Sequence, residues 1–149
     1  MQPQQPELHE QRPQDDSQTT EAHLIDLTKS FIARMNERAY DDPFFKDNVS
    51  PNVFVDLQGH KTTGLEGFLG NYKKDADATP SFRVDVVNST AEVDEKKGRA
   101  TVILSQDLKG YGGPEKKAAG TILMSWLKQK EKWVCTSVCM MLGTPEFLV

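Results

Sequence analysis

The sequence predicts an α+β fold, with helices on one side of a sheet, and three observations carry that prediction. Apolar residues recur every three or four positions in the first third of the chain, which is the helical period. The second half holds long stretches rich in β-branched and aromatic residues, cut by short polar turns, the pattern of an antiparallel meander. Between the two lie a short strand pair and one further helix. The order is helix, helix, strand pair, helix, then four strands. At 149 residues the chain suits one domain and can bury a core without disulfides or a metal.

The first helix is expected from Thr20 to Ala39, where Leu24, Leu27, Phe31, Met35 and Ala39 form one stripe and Ile25 and Ile32 widen it. Thr19 or Thr20 can cap its start, Glu21 and Asp26 lie early, and Arg34 and Arg38 lie late, as the helix dipole favours. Asp42 is the expected N-cap of a short second helix, Phe44 to Asn48, with Pro43 at its first position. Asn52 to Leu57 reads as a strand ended by the turn Gln58-Gly59-His60, with Lys61 to Thr63 pairing back. Gly64 introduces the third helix, with Leu65, Phe68, Leu69 and Tyr72 on one face, and Pro80 closes that segment.

Ser81 to Val93, Arg99 to Leu108, Ala118 to Lys128 and Trp133 to Leu142 are the expected long strands. In the first of them Phe82, Val84 and Val86 are apolar at even positions, but Val87, Ala91 and Val93 at odd ones. A change of phase inside one strand implies a bulge near Asn88 and a bend in the sheet. The last two strands are apolar on both faces. Ile122, Met124 and Trp126 oppose Leu123 and Leu127, while Val134, Val138, Met140 and Leu142 oppose Trp133, Cys135, Cys139 and Met141. One face can take the helices. The other also wants cover, and a homodimer through the outer sheet face is the economical answer.

Composition narrows the function. Eighteen basic against 22 acidic residues give a net charge of −4, which argues against a dedicated nucleic-acid binder. No apolar run approaches the roughly 18 residues of a membrane span. Residues 1–19 hold six Gln and three Pro and read as a disordered tail without the features of a signal peptide, leaving 20–149 as a single domain. Cys135 and Cys139, on one face of a strand, would lie about 13 Å apart and remain free thiols, which points to a cytoplasmic protein. No zinc-ligand spacing and no redox or nucleotide motif is present, so no cofactor is expected.

The order of elements resembles the nuclear-transport-factor-2-like superfamily, especially its SnoaL-like, polyketide-cyclase-like branch. The residues that carry this are Phe44-Phe45 before a short break, the strand Val53-Phe-Val-Asp-Leu57, Gly64-Leu-Glu-Gly-Phe68 opening the third helix, and the terminal hairpin from Ser125-Trp-Leu-Lys128 to Lys132-Trp-Val134. Lys130-Glu131 stands where that family often has Asp-Gly. The resemblance spans residues 20 to 142. It implies a cone: a curved mixed or antiparallel sheet of about six strands wrapped over three helices, with an apolar cavity at its open end. The superfamily holds isomerases, dehydratases and cyclases, and also non-catalytic binding and dimerisation modules, so the fold leaves both functions open.

Asp56 ends the strand where that family commonly carries a His or Asp at the cavity wall. Pointing inward, it would be desolvated and serve as a base; pointing outward, it would only start the turn with Gln58-Gly59. Tyr40 and Tyr72 can each donate a phenolic hydrogen bond to a carbonyl that becomes enolate-like, or be ordinary core or rim tyrosines. Phe54, Phe68, Met124 and Trp126 are expected as apolar walls, or as plain core. Together these residues suggest cofactor-free proton transfer on an apolar carbonyl metabolite. The alternative is a ligand-binding or dimerising module without a working base.

Overall fold

A computed structural model describes residues 16–143, with side chains from Thr20 onward. Most of the expected tail lies outside the described residues. The first helix, α1, spans Asp16–Asn36, so it starts ahead of the expected threonine caps and stops short of Ala39. Its end is fixed by a sharp change of backbone, because Arg38 takes a left-handed φ of 60°. From there the Arg38 guanidinium donates to the carbonyls of Phe82 (2.8 Å) and Pro80 (3.3 Å).

Helix α2, Pro43–Asn48, forms as the sequence indicates, with Asp42 accepting the Phe44 amide at 2.8 Å and Pro43 in the first turn. Strand β1, Val49–Leu57, begins three residues earlier than its β-branched core suggests, and β2 spans His60–Thr63. Helix α3 follows at Leu65–Ala78. The long strands are β3 (Arg83–Asp94), β4 (Arg99–Lys109), β5 (Lys117–Gln129) and β6 (Lys132–Leu142).

All six strands form one curved, unclosed mixed sheet in the order β2-β1-β6-β5-β4-β3. Only the β1–β6 pair is parallel, and it joins the β1–β2 hairpin to the four-strand meander. The bulge inferred from the phase change in β3 is present: its register against β4 shifts between Val86 and Asn88. A second bulge was not anticipated. Ser125 pairs with Ser137 and Trp126 with Cys135, leaving Thr136 as the extra residue of β6. It corrects the simple alternation along β6, because Trp133 and Cys135 now share the inner face with Val138 and Met140. Cys135 and Cys139 therefore face opposite sides of the sheet, and both are free.

The core lies between the inner sheet face and the three helices. Phe31 of α1 stacks on Phe68 of α3 (6.0 Å between centroids) and meets Phe45 of α2 edge-on at 5.5 Å, tying the helices together. Asn36, at the end of α1, donates to the Val84 carbonyl at 2.8 Å and accepts the Val84 amide at 2.9 Å, acting as a one-residue strand partner for the edge strand β3. Among the described residues, no helix is long and apolar enough to cross a membrane.

Candidate ligand-binding site

The helices do not fill the concave side of the sheet completely. A cavity of about 480 Å³ remains where β1, β3, β4, β5 and β6 approach α3 and the end of α1. Phe31, Ile32 and Met35 form its helical roof, and Phe68 and Tyr72 of α3 form one side. Val84, Leu108, Ile122, Val138 and Met140 make the floor. At the rim stand His60, Asp75, Phe82 and the loop Gly110-Tyr111-Gly112. Gly110 allows that loop to close down: it has a φ of +82°, and a Cβ there would sit 2.9 Å from the Phe82 Cα.

An aromatic file runs from roof to rim. Phe68 meets Tyr72 at 6.2 Å, Tyr72 meets Phe82 at 5.8 Å, and Phe82 meets Tyr111 at 6.3 Å. Inside this apolar lining two polar groups stand unpartnered. The Tyr72 hydroxyl is buried without a hydrogen bond, and so is the side-chain carbonyl oxygen of Gln106 on β4. Gln106 is only 3% exposed. Buried polar atoms normally find a partner in the fold, and of the unpartnered buried side-chain atoms among the described residues these two belong to residues that line the cavity.

Burial pushes the Tyr72 phenol well up from its ordinary value, offset in small part by the Arg38 guanidinium. The Tyr40 phenol is also raised, first by burial, against the lowering effect of Arg38. Both hydroxyls are therefore protonated at neutral pH and available as donors.

The expected site residues divide. Tyr72 and Phe68 line the cavity. Tyr40 lies one shell behind, its ring 6.3 Å from Tyr72 and its own hydroxyl buried without a partner. Met124 and Trp126 face inward and are fully buried but do not line the cavity; they are core. The Trp126 indole N–H donates to the Thr28 hydroxyl at 3.2 Å, and that hydroxyl donates to the Leu24 carbonyl at 2.9 Å, so Trp126 is fully committed to the fold.

Asp56 and Phe54 lie on the opposite face. Val53, Val55 and Leu57 take the inward positions of β1, which leaves the even-numbered residues on the outer side of the sheet. Asp56 accepts the Gly59 amide at 2.8 Å and organises the turn into β2, and Phe54 is 43% exposed. Of the two orientations open to Asp56, the structure has the outward one that starts the turn, because the parity of the strand sets it on that side and away from the cavity. Gln106 is the residue that sequence reasoning passed over. Its signal was present: along Ala100, Val102, Leu104, Gln106 and Leu108 it is the one polar side chain on an otherwise apolar face. Among the described residues, His, Cys, Asp and Glu form no group of three able to hold a metal ion.

No family model and no curated protein matches the sequence. Solved structures do match the fold. A protein from Streptomyces avermitilis, named as a candidate dehydratase of the nuclear-transport-factor-2-like family, superposes with a TM-score of 0.71 at 13% identity, over 86% of this chain and 99% of its own. An uncharacterised Caulobacter vibrioides protein with a cystatin-like fold gives 0.69 at 11% identity, over 84% and 90%. A protein from Shewanella frigidimarina named as a candidate ketosteroid isomerase gives 0.65 at 13% identity, over 78% and 92%. The chain has the nuclear-transport-factor-2-like fold, and these likenesses establish the fold alone.

Proposed function

We propose that this chain binds a small, mostly apolar molecule in the cavity between α1, α3 and the sheet, with the Tyr72 hydroxyl donating to it. One observation carries this: a chamber of about 480 Å³ with aromatic and aliphatic walls holds a buried phenol that has no partner. That volume falls in the range of small-molecule pockets, whose few polar groups fix a ligand's orientation. The test is titration with an uncharged solvatochromic dye such as Nile red, followed by displacement with polycyclic ketones. Ile122→Phe fills the floor and should weaken dye binding at least tenfold while the protein stays folded. Equal binding by this variant would place the dye elsewhere and remove the proposal.

A second function, proton transfer of the isomerase or dehydratase kind, is favoured by His60 and Asp75, two titratable side chains on the same cavity as the phenol. A neutral phenol can stabilise an oxyanion that develops as a base removes the proton beside a carbonyl. With Asp56 outside, the base would be His60 or Asp75. Solvent deuterium exchange at the carbon beside a bound ketone's carbonyl reports the step directly. Exchange lost in His60→Ala or Asp75→Asn would support catalysis; exchange no faster than in buffer would leave a binding protein. The chain is also proposed to be a homodimer through the outer sheet face, where Phe54 and Met141 are exposed, and to work in the reducing cytoplasm, which suits its two free thiols.

A further inference from the structure

The two orphaned groups make different demands. The Gln106 carbonyl oxygen accepts hydrogen bonds and lacks a donor, whereas the protonated Tyr72 hydroxyl can donate and lacks an acceptor. A ketone or an ester offers acceptors only, so it could satisfy Tyr72 but would leave the Gln106 oxygen bare. Turning the amide over would present its NH₂ group to the ligand instead, yet the carbonyl oxygen would still need a donor. The cavity lining contains no Lys or Arg and carries the Asp75 carboxylate at its rim, so it is better suited to an uncharged ligand than to an anion.

Resting on the binding function proposed for this same cavity, we infer that Gln106 is its specificity-determining residue, and that the cognate ligand is uncharged and carries a hydrogen-bond donor beside an acceptor at its buried end. A carboxamide, a lactam or a hydroxycarbonyl compound has that chemistry; a simple ketone or ester does not. The Gln106 side chain itself sets a donor and an acceptor next to each other, and so complements such a group in two bonds. A site built this way rejects the analogue lacking the donor, because the Gln106 oxygen is then left buried and unpaired.

Calorimetric titration with a matched pair, naphthalene carboxamide and methyl naphthoate, tests this on the full chain. The carboxamide is expected to bind about tenfold or more tightly than the ester. Gln106→Leu should erase that ratio, and Tyr72→Phe should weaken both ligands because both offer an acceptor. Gln106→Met, with the fluorescence of Trp126 and Trp133 together to verify the fold, serves if the leucine variant is insoluble. An ester that binds the native protein as tightly as the carboxamide overturns the inference while leaving the cavity a binding site. Failure of both probes and of Nile red to bind removes the binding function, and the inference with it.

Discussion

A buried amide oxygen without a partner costs folding free energy, and Gln106 carries that cost in the unliganded protein. Gln106→Leu, near in volume and free of polar atoms, should therefore stabilise the chain by about 1 kcal/mol, a rise of roughly 3–4 °C in Tm, while harming ligand selection. A variant that melts lower than the native protein would mean the amide is satisfied after all. Two other buried groups set the alkaline limit. Cys135 is pushed up to about 12 by burial, and Tyr72 is also raised by burial. The unfolded chain loses these protons first, so stability is full below pH 9, falls as pH rises past the unfolded thiol's value, and falls more steeply past 10. Thermal melts between pH 8 and 11 should show this, with the upper part flattened in Tyr72→Phe. At this scale the sequence was legible in part: Tyr72 and Phe68 stand on the cavity, but Asp56 could be assigned to a face only once the inward parity of β1 was known. The signal was there to be weighed: Val53, Val55 and Leu57 are all apolar, whereas Phe54 shares its parity with Asn52 and Asp56, and the one large aromatic residue masked that alternation.

Each element is held by a small number of contacts that its own sequence barely announces. Asn36 forms both backbone hydrogen bonds of Val84, a buried residue on the edge strand beside the bulge. Asn36→Ala would leave that amide and carbonyl without partners and should cost about 1–3 kcal/mol, read as a lower urea midpoint. Hydrogen exchange should rise at Val84 and its neighbours, and an unchanged midpoint would show that water replaces both bonds. Secondary structure itself was readable where two signals agreed. Asp42-Pro43 fixed α2, and the phase change from Val86 to Val87 located the bulge in β3. The bulge at Thr136 escaped because Lys132–Leu142 is apolar at both parities, so slipping one residue leaves no mark in the pattern. The end of α1 escaped for another reason: its apolar stripe runs on to Ala39, but Arg38 turns the backbone to reach carbonyls more than forty residues away.

For the whole molecule, the curvature that opens the cavity also leaves a broad convex face without helices. Register places Asp56, Cys139, Leu123 and Ile103 in one row across β1, β6, β5 and β4, all on that side. Phe54 and Met141 flank it, 43% and 41% exposed. Apolar side chains gathered on one sheet face favour burial against a partner, and two copies of the same chain can do this with one twofold axis. The expected result is a light-scattering mass of twice 16.7 kDa and a Tm that rises with protein concentration. Phe54→Lys combined with Leu123→Lys places cations on opposing copies and should give the single-chain mass, with far-ultraviolet circular dichroism unchanged because neither side chain contributes to the buried core. Dye binding retained in that monomer would show that one chain holds the complete cavity. A native protein that already runs at the single-chain mass at high micromolar concentration would refute the dimer.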